Sequence, residues 1–170
     1  MSDVTQDHAE KETLVVDINL PGHEARGSAS ALFVRTKKQL AERDGPHCWV
    51  CGRTADEAGP LEAHHFPIER STAMGIDWAL VRRDCEAGEF GLTAGQRAAA
   101  KSFDWTGFDP ADPYSFVDNM LVNGLLLDKE HHTAKDSGIH DMPHPLWVFQ
   151  RYARSGYRFS ATEVIHHERV

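Results

Sequence analysis

Cys48-Trp49-Val50-Cys51 and Asp128-Lys129-Glu130-His131 lie far apart in the chain, yet each presents two metal-competent side chains across the same two-residue gap. A Cys-x-x-Cys turn is half of a tetrahedral zinc site by ligand type and geometry, and a second knuckle at a helix start can supply the other half. Cys48, Cys51, Asp128 and His131 are therefore the expected ligands of a structural zinc. A redox pair is the alternative reading of an isolated Cys-x-x-Cys, and either chemistry suits a reducing compartment better than a disulfide does.

At 170 residues the chain is about one domain long. Residues 1–12 carry four acids and one lysine with little to bury, and read as a disordered acidic arm. Residues 13–170 are expected to form a single α+β domain. Strands are expected over Leu14–Ile18, Leu61–Phe66 and Leu121–Leu127. Helices are expected over Ser28–Arg43, Asp77–Cys85, Arg97–Lys101 after a capping box at Thr93, Lys129–Ser137 and Pro145–Ser155. Asp104–Pro113, with two Asp-Pro steps, reads as turns. No apolar run approaches the roughly 20 residues of a membrane helix, and the N-terminus lacks a secretory pattern, so no membrane partner and a cytoplasmic location are expected.

A second constellation overlaps the first. His132 and Asp136 are four apart on an expected helix, where they share a face and can hold one cation. Asn123 lies on the strand expected just before, and His64-His65 end an earlier strand. Strand, strand and helix, with histidines on the first and ligands on the last, describe a small ββα finger around a metal, with a zinc knuckle beside it and helices around both.

The ordered set Cys-x-x-Cys-Gly, Glu62-Ala63-His64-His65, Asn123-Gly124-Leu125-Leu126-Leu127 and His132-x-x-x-Asp136 resembles the HNH endonucleases of the ββα-metal superfamily, over roughly residues 40–68 and 121–140. The resemblance implies hydrolysis of DNA phosphodiester bonds: a histidine general base draws a proton from water, and a divalent metal (Mg²⁺, Mn²⁺, Ni²⁺ or Zn²⁺) stabilises charge on the phosphate and leaving oxygen. It implies His132 and Asp136 as metal ligands and Asn123 as the amide that holds the base-bearing segment. The Glu-x-His-His register makes His64 a ligand and His65 the base. Pro67, three residues after His64, fits the other register, with His64 as base and Ala63 in the ligand position. The family usually has two cysteines where this chain has Asp128 and His131. The separation of His65 from Asn123 by 57 residues is also longer than a compact finger needs.

That insert, about residues 68–122, is rich in helix signals and aromatics, and reads either as a substrate- or partner-recognition element or as a helical cap that completes the core. Arg151, Arg154 and Arg158 are the candidate phosphate contacts, against a solvated helix face. His140 and His144 read as surface turn residues, with a place lining the substrate groove as the alternative, Cys85 as a small buried residue, and His166-His167-Glu168 as a terminal surface segment or packing strand. Trp147, Phe149, Tyr152 and Tyr157 read as core-facing. The expected activity is nicking, with double-strand cleavage requiring a homodimer or a protein partner, in a phage- or mobile-element-associated setting. The net charge of −8 is unusual for a protein that grips nucleic acid, and it keeps a rival in view: a non-catalytic zinc-binding adaptor with the same fold.

Overall fold

The computed structural model describes residues 29–142 and Trp147. The strand expected at Leu14–Ile18, the acidic arm, Arg151, Arg154, Arg158, His144, Phe149, Tyr152, Tyr157 and the terminal His166-His167-Glu168 lie outside the described residues, as does the last expected helix apart from Trp147.

The fold is a small mixed α+β arrangement around a two-stranded sheet. Strands β1 (Glu62–His65) and β2 (Gly124–Leu127) pair antiparallel, with His64 opposite Leu125 and His65 opposite Gly124. In chain order α1 (Ala31–Lys37), α2 (Leu40–Asp44) and α3 (Ala55–Ala58) precede β1. A 3-10 helix (Arg70–Gly75), α4 (Trp78–Ala87), α5 (Ala94–Lys101), α6 (Tyr114–Val117) and α7 (Met120–Asn123) lie between the strands, and α8 (Lys129–His132) follows β2. No helix among the described residues is long and apolar enough to cross a membrane.

The helix expected over Ser28–Arg43 is two helices. Thr36 bonds back to Leu32 O at 2.8 Å and also accepts from Met120 N at 3.0 Å, so its hydroxyl serves a neighbouring segment at the point where the helix breaks. The strand expected over Leu121–Leu127 begins only at Gly124, and Asn123 is the last residue of α7. Arg43 explains the junction: its guanidinium donates to Met120 O, Leu121 O and Gly124 O, and pairs with Asp44. Carbonyls released where helix becomes strand thus meet one buried fork of donors. Gly124 is required there, because a Cβ would lie 2.5 Å from Met120 O.

The insert carries its own core. Trp78, Val81 and Cys85 line one face of α4 and pack with Phe90, Ala100, Phe116 and Val117. Phe103, Trp105, Phe108 and Tyr114 pack against that cluster. The insert therefore does complete a core, as one of the two sequence readings has it. Asp77 caps α4 by accepting from Ala79 N and Leu80 N. Thr93 caps α5 by accepting from Gln96 N, but Gln96 does not close the expected box. Its Oε1 accepts from Leu92 N at 2.9 Å, and its Nε2 donates to Phe66 O at 2.6 Å and Val122 O at 3.2 Å. Gln96 thereby ties the insert to the end of β1 and the approach to β2. Gln96→Ala would leave these buried groups unpaired and is expected to lower stability by about 2–4 kcal/mol, read by urea unfolding; a change below about 0.5 kcal/mol, the size of an ordinary surface substitution, would remove Gln96 from this role.

Candidate active site and metal centres

The knuckle is held by backbone bonds. Cys48 N donates to Arg53 O, Gly52 N to Cys48 O, and Trp49 N to Leu126 O at 2.9 Å, which fixes the turn on β2. Asp128 caps α8 by accepting from His131 N at 2.9 Å. Cys48, Cys51, Asp128 and His131 converge, with one ligand atom from each within 4.8 Å of the others, so this group could hold a metal ion. Cys48 Sγ lies 3.8 Å from His131 Nδ1, and Cys51 Sγ lies 3.1 Å from Asp128 Oδ2. Zinc bonds of roughly 2.0–2.3 Å in tetrahedral geometry give ligand separations of about 3.3–3.8 Å, so the donors lie within a few tenths of an ångström to about 1 Å of the spacing one ion needs.

Burial pushes the Cys48 thiol up to about 11, which keeps it protonated until a dication draws off the proton. Burial also works against a charged Asp128, but the hydrogen bonds from His131 and Cys51 outweigh it and hold the carboxyl below its ordinary range. Arg53 donates to Cys51 Sγ at 3.3 Å and to Asp128 Oδ2 at 3.0 Å, and pairs with Glu130. Two thiolates, a carboxylate and a neutral imidazole around Zn²⁺ would carry one net negative charge, which Arg53 is placed to offset. Cys85, in contrast, is fully buried inside the α4 face, away from this group.

At the other end of the strand pair, a cleft of about 220 Å³ is lined by His64, His65, Glu69, Arg70, Asp118, His132 and His140, with Phe33 and Ser30 on its rim. His64, His132 and His140 form a second group that could hold a metal ion. Their rings meet at centroid distances of 4.8–5.2 Å. His132 Nδ1 lies 2.6 Å from Glu62 Oε2, which leaves Nε2 for a cation and sets the ring's orientation. His64 Nε2 lies 3.1 Å from Glu69 Oε1. Burial would raise the Glu69 carboxyl, but the His64 hydrogen bond and the nearby imidazoles hold it below its ordinary range.

Both histidines of β1 line this cleft, because the strand ends at His65 and does not continue its alternation. His64 is buried with the imidazole group. His65 stacks on Phe33 at 5.2 Å and turns Nε2 toward Asp118. Asn123 is fully buried: Oδ1 accepts from Ile68 N at 3.0 Å, and Nδ2 donates to Ile68 O at 2.8 Å and Val117 O at 3.0 Å. Its amide grips the backbone three residues past His65 and joins that segment to the end of α6.

The shared helical face expected for His132 and Asp136 does not form, because α8 ends at His132. The carbonyl that Lys135 would need for a further turn, His131 O, accepts from Ile139 N at 3.0 Å and Trp147 Nε1 at 2.9 Å. Asp136 is exposed in a left-handed turn at φ 65°, where its N–H donates to Asp141. The same reversal brings His140 to His64 and His132, so a residue expected to be a surface turn joins the imidazole group. The signal was the stop at Gly138, which returns the chain over α8. Glu69, Arg70 and Asp118 also line the cleft, and Glu62 meets His132 beside it, without having been singled out for roles there. Comparisons with protein-family models, curated proteins and solved structures give no match.

Proposed function

We propose that the chain is a metal-dependent endonuclease of the HNH type that hydrolyses DNA phosphodiester bonds. One observation carries the reading: three imidazoles, His64, His132 and His140, converge beside a fourth, His65, in one cleft at the end of β1. Antiparallel β1 and β2 followed by α8 have the order of a ββα-metal finger, and Asn123 clamps the segment after the base as the resemblance implies. The donor set fits a divalent ion, with Glu62 directing His132 and the acidic Glu69 beside His64. All-imidazole ligation suits Ni²⁺ or Zn²⁺ better than Mg²⁺, which prefers oxygen. When bound, the ion would stabilise charge on the phosphate and the leaving oxygen.

The protein's own groups then divide the work. His65 takes the proton from the attacking water. Asn123 fixes the Ile68 backbone, and with it the approach of His65. Arg70, within the same cleft and held by Asp118, adds positive charge for an anionic substrate. The division of the histidines follows the Glu-x-His-His register, with His64 among the ligands and His65 as base.

The test is supercoiled plasmid incubated with the purified protein and Mg²⁺, Mn²⁺, Ni²⁺ or Zn²⁺. Nicked circles should appear with a metal and be suppressed by chelator. No cleavage with any of the four ions would instead favour the adaptor reading, which the net charge of −8 supports.

A further inference from the structure

The insert delivers a carboxylate to the proposed base. Asp118 follows α6, is 2% exposed, and places Oδ1 3.4 Å from His65 Nε2 and 3.2 Å from Arg70 Nε. His65 Nε2 is buried and has no direct hydrogen-bond partner among the described residues, and this carboxylate oxygen faces it. Catalytic hydrogen bonds are often long in the ligand-free state and tighten in the complex. Asp118 is itself firmly placed: its N–H donates to Tyr114 O, its carbonyl accepts from Thr36 Oγ1, and Arg70 stacks on Tyr114 at 4.4 Å. Burial opposes its ionisation, but the adjacent His65 imidazole, a hydrogen bond from Ser30 and the charge of Arg70 hold its carboxyl below the ordinary range.

We propose that Asp118 is the positioning residue for His65, holding the imidazole as the Nε2–H tautomer and leaving Nδ1 to accept the proton. The inference rests on the hydrolytic reading of the cleft. A neutral imidazole facing an ionised carboxylate is stable with N–H toward the oxygen and unstable with its lone pair there. In the step, the water oxygen forms the new bond to phosphorus and its proton passes to Nδ1. The bond from phosphorus to the leaving oxygen breaks, and that oxygen takes a proton from solvent. The imidazolium formed is flanked by Asp118. The insert is then both a packed cap and part of the active site.

The experiment combines tautomer and kinetics. Long-range proton–nitrogen NMR of ¹⁵N-histidine-labelled protein should give His65 as the Nε2–H tautomer in wild type. Asp118→Asn is isosteric and should fold, but its amide can present either oxygen or N–H, so the preference should be lost. Plasmid nicking by Asp118→Asn should fall in kcat by about 10²-fold or more, as expected for a base in the wrong tautomer, with KM within about twofold. Asp118→Ala should show the same split if it folds. Retention of Nε2–H in the folded Asn variant, or a change confined to KM, would overturn the proposal. If wild type cleaves nothing, the hydrolytic reading fails, while the tautomer measurement still decides whether Asp118 holds His65.

Discussion

His65→Ala should nick plasmid about 10²–10⁴-fold more slowly than wild type, the range for removing a general base, with its unfolding curve little changed. The side chain lies at the cleft wall against Phe33, and makes no short hydrogen bond that the fold depends on. Added metal should not restore the activity, because the missing function is proton acceptance. His132→Ala and His140→Ala should behave differently: each removes an imidazole from the proposed cation site, so the loss should shrink as Ni²⁺ or Zn²⁺ is raised. His64→Ala decides between the two registers. Rescue by metal assigns it as ligand, and a loss insensitive to metal assigns it as base. Asp136→Ala serves as the control and should stay within about twofold, the effect of a surface change of under 0.5 kcal/mol, since α8 ends before reaching it. Full activity in His65→Ala would refute the assignment of the base.

The contrast between His140 and Asp136 shows where the sequence was legible. Spacing identified what is local or chemically distinctive: Cys48-x-x-Cys51, Asp128 and His131 converge, a helix forms within Asp77–Cys85, and β1 ends on His64-His65. Asn123 was also singled out, although it ends a helix and does not lie on the strand. Errors came where a distant group decided the local structure. Lys129–Ser137 has helical character, but the carbonyl of His131 is taken by Ile139 and by Trp147 from farther along the chain. Periodicity cannot register that competition. Arg43 acts similarly at the α7–β2 junction: one guanidinium satisfies carbonyls that a longer strand would have satisfied with a neighbour. Asp118 was invisible for a related reason, since nothing near it in sequence marks it as the partner of a histidine more than fifty residues earlier.

Zinc bound at the Cys48 group is expected to contribute more stability than any single side chain of the insert, so chelation that strips it should lower stability accordingly. The knuckle packs Cys48, Trp49 and Val50 against Leu125, Leu127 and Trp147, and Trp49 stacks on Trp147 at 5.4 Å. Without an ion, the four ligands are held by Cys51–Asp128 and His131–Asp128 contacts and by Arg53, which is 40% exposed and so contributes little on its own. Structural zinc in small finger peptides has apparent binding free energies of about 10–16 kcal/mol. Here the core around Trp78 and Phe116 is separate from the knuckle, so a smaller loss of about 5 kcal/mol is expected, or a fall in Tm of roughly 10–20 °C for a chain of this size. The wild type should carry about one zinc per chain that survives mild chelation, a stoichiometry expected of a closed four-ligand site. Cys48→Ser should lose it and melt early, whereas Cys85→Ala should keep it. Nicking should fall as well, because His131 of the knuckle and His132 of the imidazole group are consecutive residues of α8, and an unpinned helix no longer holds His132 against Glu62. Equal melting with and without chelator, together with no bound zinc, would mean that Arg53 and the hydrogen bonds hold this cluster without a metal.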